Sequence, residues 1–195
     1  MYKSSKRYMP TYLIVVFNVA VYIYTALLSG NLIEIDYSIL QQWGQYNRLV
    51  LNGGYWQLFT SIFVHTSITH LLGNLFFLLI FGLRAEEFFA IKEYLAIYFS
   101  SGITGNLLTL LFGPSMVSAG ASGAIFGMFG ACTIYIRRTF GESIIGALVY
   151  SFFLLIINSG QNVNNLAHIG GLVAGLLIGY LLSKKSGQKK VYKYI

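Results

Sequence analysis

Gly120-Ala121-Ser122-Gly123-Ala124-Ile125-Phe126-Gly127 is the stretch that decides how this chain is read, together with Ala167-His168-Ile169-Gly170-Gly171-Leu172-Val173-Ala174-Gly175 further on. Around Ser122 there is almost no side-chain bulk, which in a membrane lets another backbone approach closely. In the second stretch His168, Gly171, Gly175 and then Gly179 recur at three-and-four spacing, so all four lie on one helical face. Taken alone, the first stretch is a packing signal whose serine bonds back to its own helix, and a lone histidine is more often structural. Taken together they carry chemistry: if the two glycine faces meet, the imidazole falls within reach of the Ser122 hydroxyl and can take its proton, activating it for attack on a carbonyl.

Composition supports placing both stretches in a bilayer. The 195 residues are 56% hydrophobic and only 10% charged, too apolar for a soluble surface. The net charge of +7 does not indicate nucleic acid, because the basic residues form no RNA-binding motif and no stripe among aromatics. They gather at the ends of apolar segments. The single cysteine, Cys132, excludes an internal disulfide framework and a Cys-rich zinc site and is read as helix packing. No His-Glu-x-x-His is present, so a zinc protease fits worse.

The fold expected is an all-α integral membrane protein, a six-transmembrane-helix bundle. A span needs about 20 apolar residues, somewhat fewer where flanking residues reach the interface. Six segments qualify: 11–28, 70–83, 94–112, 119–136, 143–157 and 166–182, the second and fifth being short. The first follows Lys3, Lys6 and Arg7 but is long and lacks a small-x-small cleavage site, so it is kept as a span. The chain thus divides into a tail (1–10), a six-helix core (11–182) and a basic tail (183–195), all one domain (1–195). Residues 29–69 carry Trp43, Tyr46, Tyr55 and Trp56, interface aromatics that suggest a partly immersed loop, with 55–64 as a short interfacial helix.

Orientation follows from Lys and Arg. With the N-terminus inside, the cytoplasmic ends hold Lys3, Lys6, Arg7, Arg84, Lys92, Arg137, Arg138, Lys184, Lys185, Lys189, Lys190 and Lys193, and only Arg48 faces out. Both termini are then cytoplasmic, and His70, Asn74, Ser122 and His168 all fall at the outer ends of their spans. Polar residues at that depth are functional candidates by default. No carboxylate is near: Asp36 and Glu34 lie in the first outer loop, and Glu86, Glu87, Glu93 and Glu142 lie inside. A Ser122–His168 pair is therefore a dyad, with the ring oriented by packing, for which Phe126, one turn beyond Ser122, is the candidate. His70 and Asn74, one turn apart, can join the Ser122 N–H as donors to a developing oxyanion. His65 is read as a structural hydrogen bond, and Glu86 as a bridge between helix ends.

These residues together resemble the rhomboid intramembrane proteases over about residues 11–182. Tyr55-Trp56-Gln57-Leu58-Phe59-Thr60-Ser61-Ile62-Phe63-Val64-His65 looks like the family's first-loop helix, and His70-Leu71-Leu72-Gly73-Asn74 matches its His-x-x-x-Asn element. Gly120-Ala121-Ser122-Gly123 matches its Gly-x-Ser-Gly, Ala167-His168 with Gly171 and Gly175 its last-helix pattern, and Glu86 its Gly-x-x-x-Glu position. The resemblance implies a serine-type endopeptidase with Ser122 as nucleophile, His168 as general base and acid, and His70, Asn74 and the Ser122 backbone as oxyanion hole. It further implies a water-filled cavity open to the outer side, span four beginning at the serine, transmembrane proteins as substrates, and no cofactor or metal.

Two departures stand out. Many relatives carry a Trp-Arg pair in the first loop, where this chain has Trp56-Gln57 and Trp43-Gly44, and Phe126 stands where some have Tyr. Span five, with Phe152 and Phe153 but few glycines, is read with 159–165 as a lateral gate. Two rivals are weighed: a small transporter, for which paired broken helices and a membrane-embedded acid are missing, and an inactive binding relative, which requires a lost dyad that this chain retains.

Overall fold

The computed structural model describes residues 9–141, 143, 145, 146, 149 and 163–191, the last seven as backbone alone. Among them are α1 (Met9–Ser29), α2 (Tyr37–Trp43), β1 (Gln45–Tyr46), α3 (Asn47–Leu51), α4 (Gln57–Thr60), α5 (Ile68–Phe88), α6 (Ile91–Thr109), β2 (Val117–Ser118), α7 (Ser122–Phe140) and α8 (Asn165–Val191), with a 3-10 turn at Leu110–Phe112. Among the described residues, four helices are long and apolar enough to cross a membrane: Met9–Ser29, Ile68–Phe88, Ile91–Phe112 and Asn165–Lys184. The fifth predicted span, 143–157, lies outside the described residues apart from scattered positions.

α7 is a further apolar helix whose mean hydropathy is lowered by Arg137 and Arg138 in its last turn. It is built from small residues and is sheathed in protein, with nearly every residue from Gly123 to Cys132 buried. Its contacts are backbone contacts. A Cβ on Gly171 would overlap the Gly123 carbonyl, one on Gly175 the Gly127 carbonyl, and one on Gly179 would meet the Ala131 carbonyl at 2.5 Å. The matched steps of four, rising together along both chains, make α7 and α8 parallel neighbours. On the opposite face of α8, Ile169, Val173, Leu177 and Leu181 are exposed at the same four-residue interval, a stripe suited to lipid.

α6 lies against both helices and runs the other way, since Gly102 meets Ala124 whereas Gly105, one turn later, meets Ala167. At the far end of the bundle α1, α5 and α6 are latched together. Glu86 Oε1 accepts from the Thr11 N–H at 2.9 Å, and the Thr11 hydroxyl lies 2.9 Å from the Tyr94 hydroxyl. Gly82 leaves room for that latch, because a Cβ there would crowd both groups. Cys132 is buried in the core these helices share.

Three boundaries differ from the sequence expectation. α5 is not short: Ser67 caps it by accepting from the His70 N–H at 3.2 Å, and it runs on to Phe88 through the charged turn the span estimate stopped before. α7 starts at Ser122, as the resemblance implies and not at the 119 of the span estimate, because 117–118 is a strand and Gly120 turns the chain with φ +132°, a conformation that strains side-chain-bearing residues. α8 continues to Val191, so the expected tail from 183 is in part helix. The expected 55–64 helix is only α4, four residues, followed by turns.

Since the α7–α8 seam has no slack, Gly175→Ala is expected to cost about 1–3 kcal/mol and to lower the unfolding midpoint in detergent. Leu177→Ala, two positions away but 60% exposed, is expected to leave the midpoint nearly unchanged; thermal unfolding of the two variants checks this.

Candidate active site

Ser122 is the first residue of α7. A helix's first N–H groups have no partner within the helix and its N-terminal end is electropositive, so the serine sits where negative charge is favoured. The turn before it is fixed from two sides. The Gly120 N–H donates to the Ser61 carbonyl at 2.9 Å, and β2 pairs antiparallel with β1 through Gln45↔Ser118 and Tyr46↔Val117. Gly120 is required for a second reason: a Cβ there would fall 2.9 and 3.0 Å from His70 Cε1 and Nε2.

His168 lies in the first turn of α8. Its Nε2 is 2.9 Å from Ser122 Oγ, and its ring stacks on Phe126 with centroids 4.3 Å apart and planes at 21°. Nδ1 is buried and has no partner among the described residues. The orientation of the imidazole therefore comes from the aromatic face and from the serine. Gly123 and Gly105 admit the Ala167 carbonyl between α7 and α6, which seats the start of α8 between its two neighbours.

His70 and Asn74 face the same space from α5. The backbone N–H of Thr66, which can only donate, points at His70 Nδ1 at 3.5 Å, and the Thr66 hydroxyl is 3.1 Å from the same atom. The tautomer that fits carries its proton on Nε2, the nitrogen beside Gly120. Asn74 donates one N–H to the His70 carbonyl at 2.9 Å and retains a second.

A cavity of about 940 Å³ takes in His70, Asn74, Gly120, Ser122, Phe126 and His168, with Phe77, Phe81, Ile125 and Met116 among its apolar walls. Ala121, Gly123, Gly171 and Gly175 do not line it; they are packing positions behind it. Glu86 is at the opposite end of the bundle. His65 is fully buried beside His70, its ring centroid 5.3 Å away, with Nδ1 3.2 Å from the Phe63 carbonyl.

Sequence reading missed a set of polar residues that ties the loop before α5 to the cavity. Gln45 donates to Asn47 Oδ1 (2.8 Å) and to the Asn106 carbonyl (2.9 Å), Asn106 donates to Ser61 Oγ (2.9 Å), and Asn47 donates to the Thr109 carbonyl (2.9 Å). The unusual Gln57 after Trp56 is part of this anchoring: fully buried, it accepts from the Tyr46 N–H at 2.8 Å and donates to the Gln41 carbonyl at 2.7 Å. Gly44 after Trp43 lets the backbone pass, since a Cβ would lie 2.7 Å from the Leu40 carbonyl oxygen. Asn164, which starts α8, was also passed over, although an Asn just before an apolar run is a helix-start signal.

Residues 52–185 match the family model described as "Rhomboid domain". The chain belongs to the rhomboid family. It is 36% identical over 143 residues to "RHOMBOID-like protein 6, mitochondrial" of Arabidopsis thaliana, covering 70% of this chain and 47% of that protein. It is 31% identical over 176 residues to "Rhomboid-like protease 3" of Toxoplasma gondii (85% and 66%) and 38% identical over 142 residues to "Rhomboid protease GluP" of Bacillus subtilis (strain 168) (66% and 26%). The chain thus spans less than two thirds of the length of these relatives. Rhomboid membership, with the apolar helices, makes this a membrane protein.

His65 lies outside the membrane-spanning helices, and burial, with the nearby His70 ring adding to it, holds its imidazole well below the ordinary value of 6.5. It is neutral in the folded protein and protonates more readily when unfolded, so its share of stability is complete above pH 6.5 and is lost as pH falls below that value. Unfolding midpoints measured on either side of it should show the fall, and His65→Gln should make it shallower.

Proposed function

We propose that this rhomboid is an intramembrane serine endopeptidase that hydrolyses peptide bonds in or near transmembrane segments of other membrane proteins through a Ser122–His168 dyad. The observation that carries the reading is the 2.9 Å contact between Ser122 Oγ and His168 Nε2 inside a cavity of about 940 Å³. Hydrolysis in a bilayer needs both a nucleophile and a chamber that holds water, and this contact sits in such a chamber.

The residues take their roles from position. His168 Nε2 accepts the hydroxyl proton as Ser122 Oγ attacks the substrate carbonyl, then returns it to the leaving amine; water repeats the cycle on the acyl-enzyme. Because no carboxylate among the described residues backs the imidazole, Phe126 holds the ring plane. The oxyanion meets His70 Nε2–H, the remaining Asn74 N–H and the Ser122 N–H at the electropositive start of α7. No cofactor enters this chemistry. Two relatives named as rhomboid proteases support the reaction class. The basic residues at apolar-segment ends support a topology with both termini in the cytoplasm and the cavity open to the outer side. The proposed gate, span five with 159–165, lies largely outside the described residues; tethering it to α5 is expected to block cleavage of transmembrane substrates.

Purified protein in detergent or liposomes should cut a model transmembrane substrate. Ser122→Ala should abolish cleavage, His168→Ala should lower kcat by a factor on the order of 10⁶, and His70→Ala or Asn74→Ala by about 100-fold or more each. Cleavage that survives Ser122→Ala, or solute flux without cleavage, overturns the proposal.

A further inference from the structure

The dyad joins two residues 46 positions apart in sequence, and the glycine seam alone does not fix their relative height. Smooth glycine faces set how near two helices lie; they resist sliding along the axis poorly. A specific polar tie is needed at the level of the chemistry. Asn164 is a side chain that touches both sides at that level.

Its amide is fully used. Oδ1 accepts from the Ala167 N–H at 2.9 Å, and the Asn164 carbonyl accepts from the His168 N–H at 3.2 Å, so the residue caps the helix that carries the base. Nδ2 donates one hydrogen to Ser118 Oγ at 2.7 Å and the other to Thr109 Oγ1 at 2.8 Å. Ser118 lies four residues before Ser122, and Asn164 four residues before His168. Ser118 is itself held by the strand pairing with Gln45, and Thr109 by its hydroxyl donating to the Gly105 carbonyl at 2.9 Å. The bridge therefore ends on two anchored points, one on the approach to the nucleophile and one on α6.

We infer that Asn164 is a positioning residue for the proposed reaction: its bridge to Ser118 and Thr109 sets the axial height of His168 against Ser122. Although Asn164 lines the cavity, its amide has no hydrogen left for a substrate, which distinguishes it from Asn74. The inference rests on the dyad reading. It separates two duties that Asn164 performs at once, capping α8 and bridging away from it, and only the second fixes the dyad.

The experiment measures kcat, KM and the unfolding midpoint on a transmembrane substrate for Asn164→Ala, Asn164→Ser and the double variant Ser118→Ala/Thr109→Val, beside wild type and Ser122→Ala. Wild-type cleavage with silent Ser122→Ala establishes the dyad reading independently of the other variants; cleavage persisting in Ser122→Ala ends that reading whatever Asn164 does. Asn164→Ala should lower kcat by roughly 100-fold, the cost of a misplacement near 1 Å, with KM unchanged. Serine restores a helix cap but cannot reach both partners, so Asn164→Ser should regain the midpoint and not kcat. The double variant, which keeps the cap, should show the same kcat loss, and adding Asn164→Ala to it should cost little more. Wild-type kcat in Asn164→Ala, full rescue of kcat by serine, or wild-type kcat in the double variant each overturn the inference. Should Asn164→Ala fail to fold, the double variant decides.

Discussion

Two parallel helices in this protein touch backbone to backbone, and the rest of the structure is arranged around that contact. In lipid there is no hydrophobic gain in bringing helices together, so close packing must come from the fit of small residues. The Gly123 and Gly127 carbonyls of α7 occupy the space that side chains would take at Gly171 and Gly175 of α8. Ser122 immediately precedes the first of these contacts and His168 lies one turn before its partner, so the hydroxyl and the imidazole emerge together where the seam ends. The seam sets how near the two helices lie, and the hydroxyl and the imidazole stand 2.9 Å apart at its end.

The two ends of the bundle serve different physical needs. At one end Thr11, Gly82, Glu86 and Tyr94 close α1, α5 and α6 against one another, leaving no space. At the other end the helices part, and the opening is braced by buried amides, Gln45, Asn47 and Gln57 from the loop before α5 and Asn106 from α6, which hydrogen-bond to one another and to the local backbone. Buried amides of this kind are costly unless paired. Their pairing keeps a polar cavity open without letting its walls collapse, and it holds Gly120 and Ser118 in place before the nucleophile.

What the sequence made legible follows from the same physics. The steps of three and four in His168, Gly171, Gly175 and Gly179, set against Gly-x-Ser-Gly, were enough to bring spans four and six together, because glycine in a membrane helix has few uses other than close approach. Phe126 was readable as the neighbour of His168 because it sits one turn beyond Ser122. Hydropathy, by contrast, misjudged the ends: α5 runs through Arg84 and Glu86, and α8 through Lys184 and beyond, since charged residues can extend a helix past the hydrocarbon without ending it. The polar tie-points were invisible for another reason. Gln45, Ser118 and Asn164 are ordinary loop residues in the sequence, and only their meeting across distant segments gives them work.

The most direct measurement of the central claim is the rate at which a fluorophosphonate labels the native protein and its His168→Ala variant, with the labelled residue located by mass spectrometry. The account predicts rapid labelling at Ser122 in the native protein and its loss when the imidazole is removed. Equal labelling in both proteins, or labelling at another serine, would contradict it.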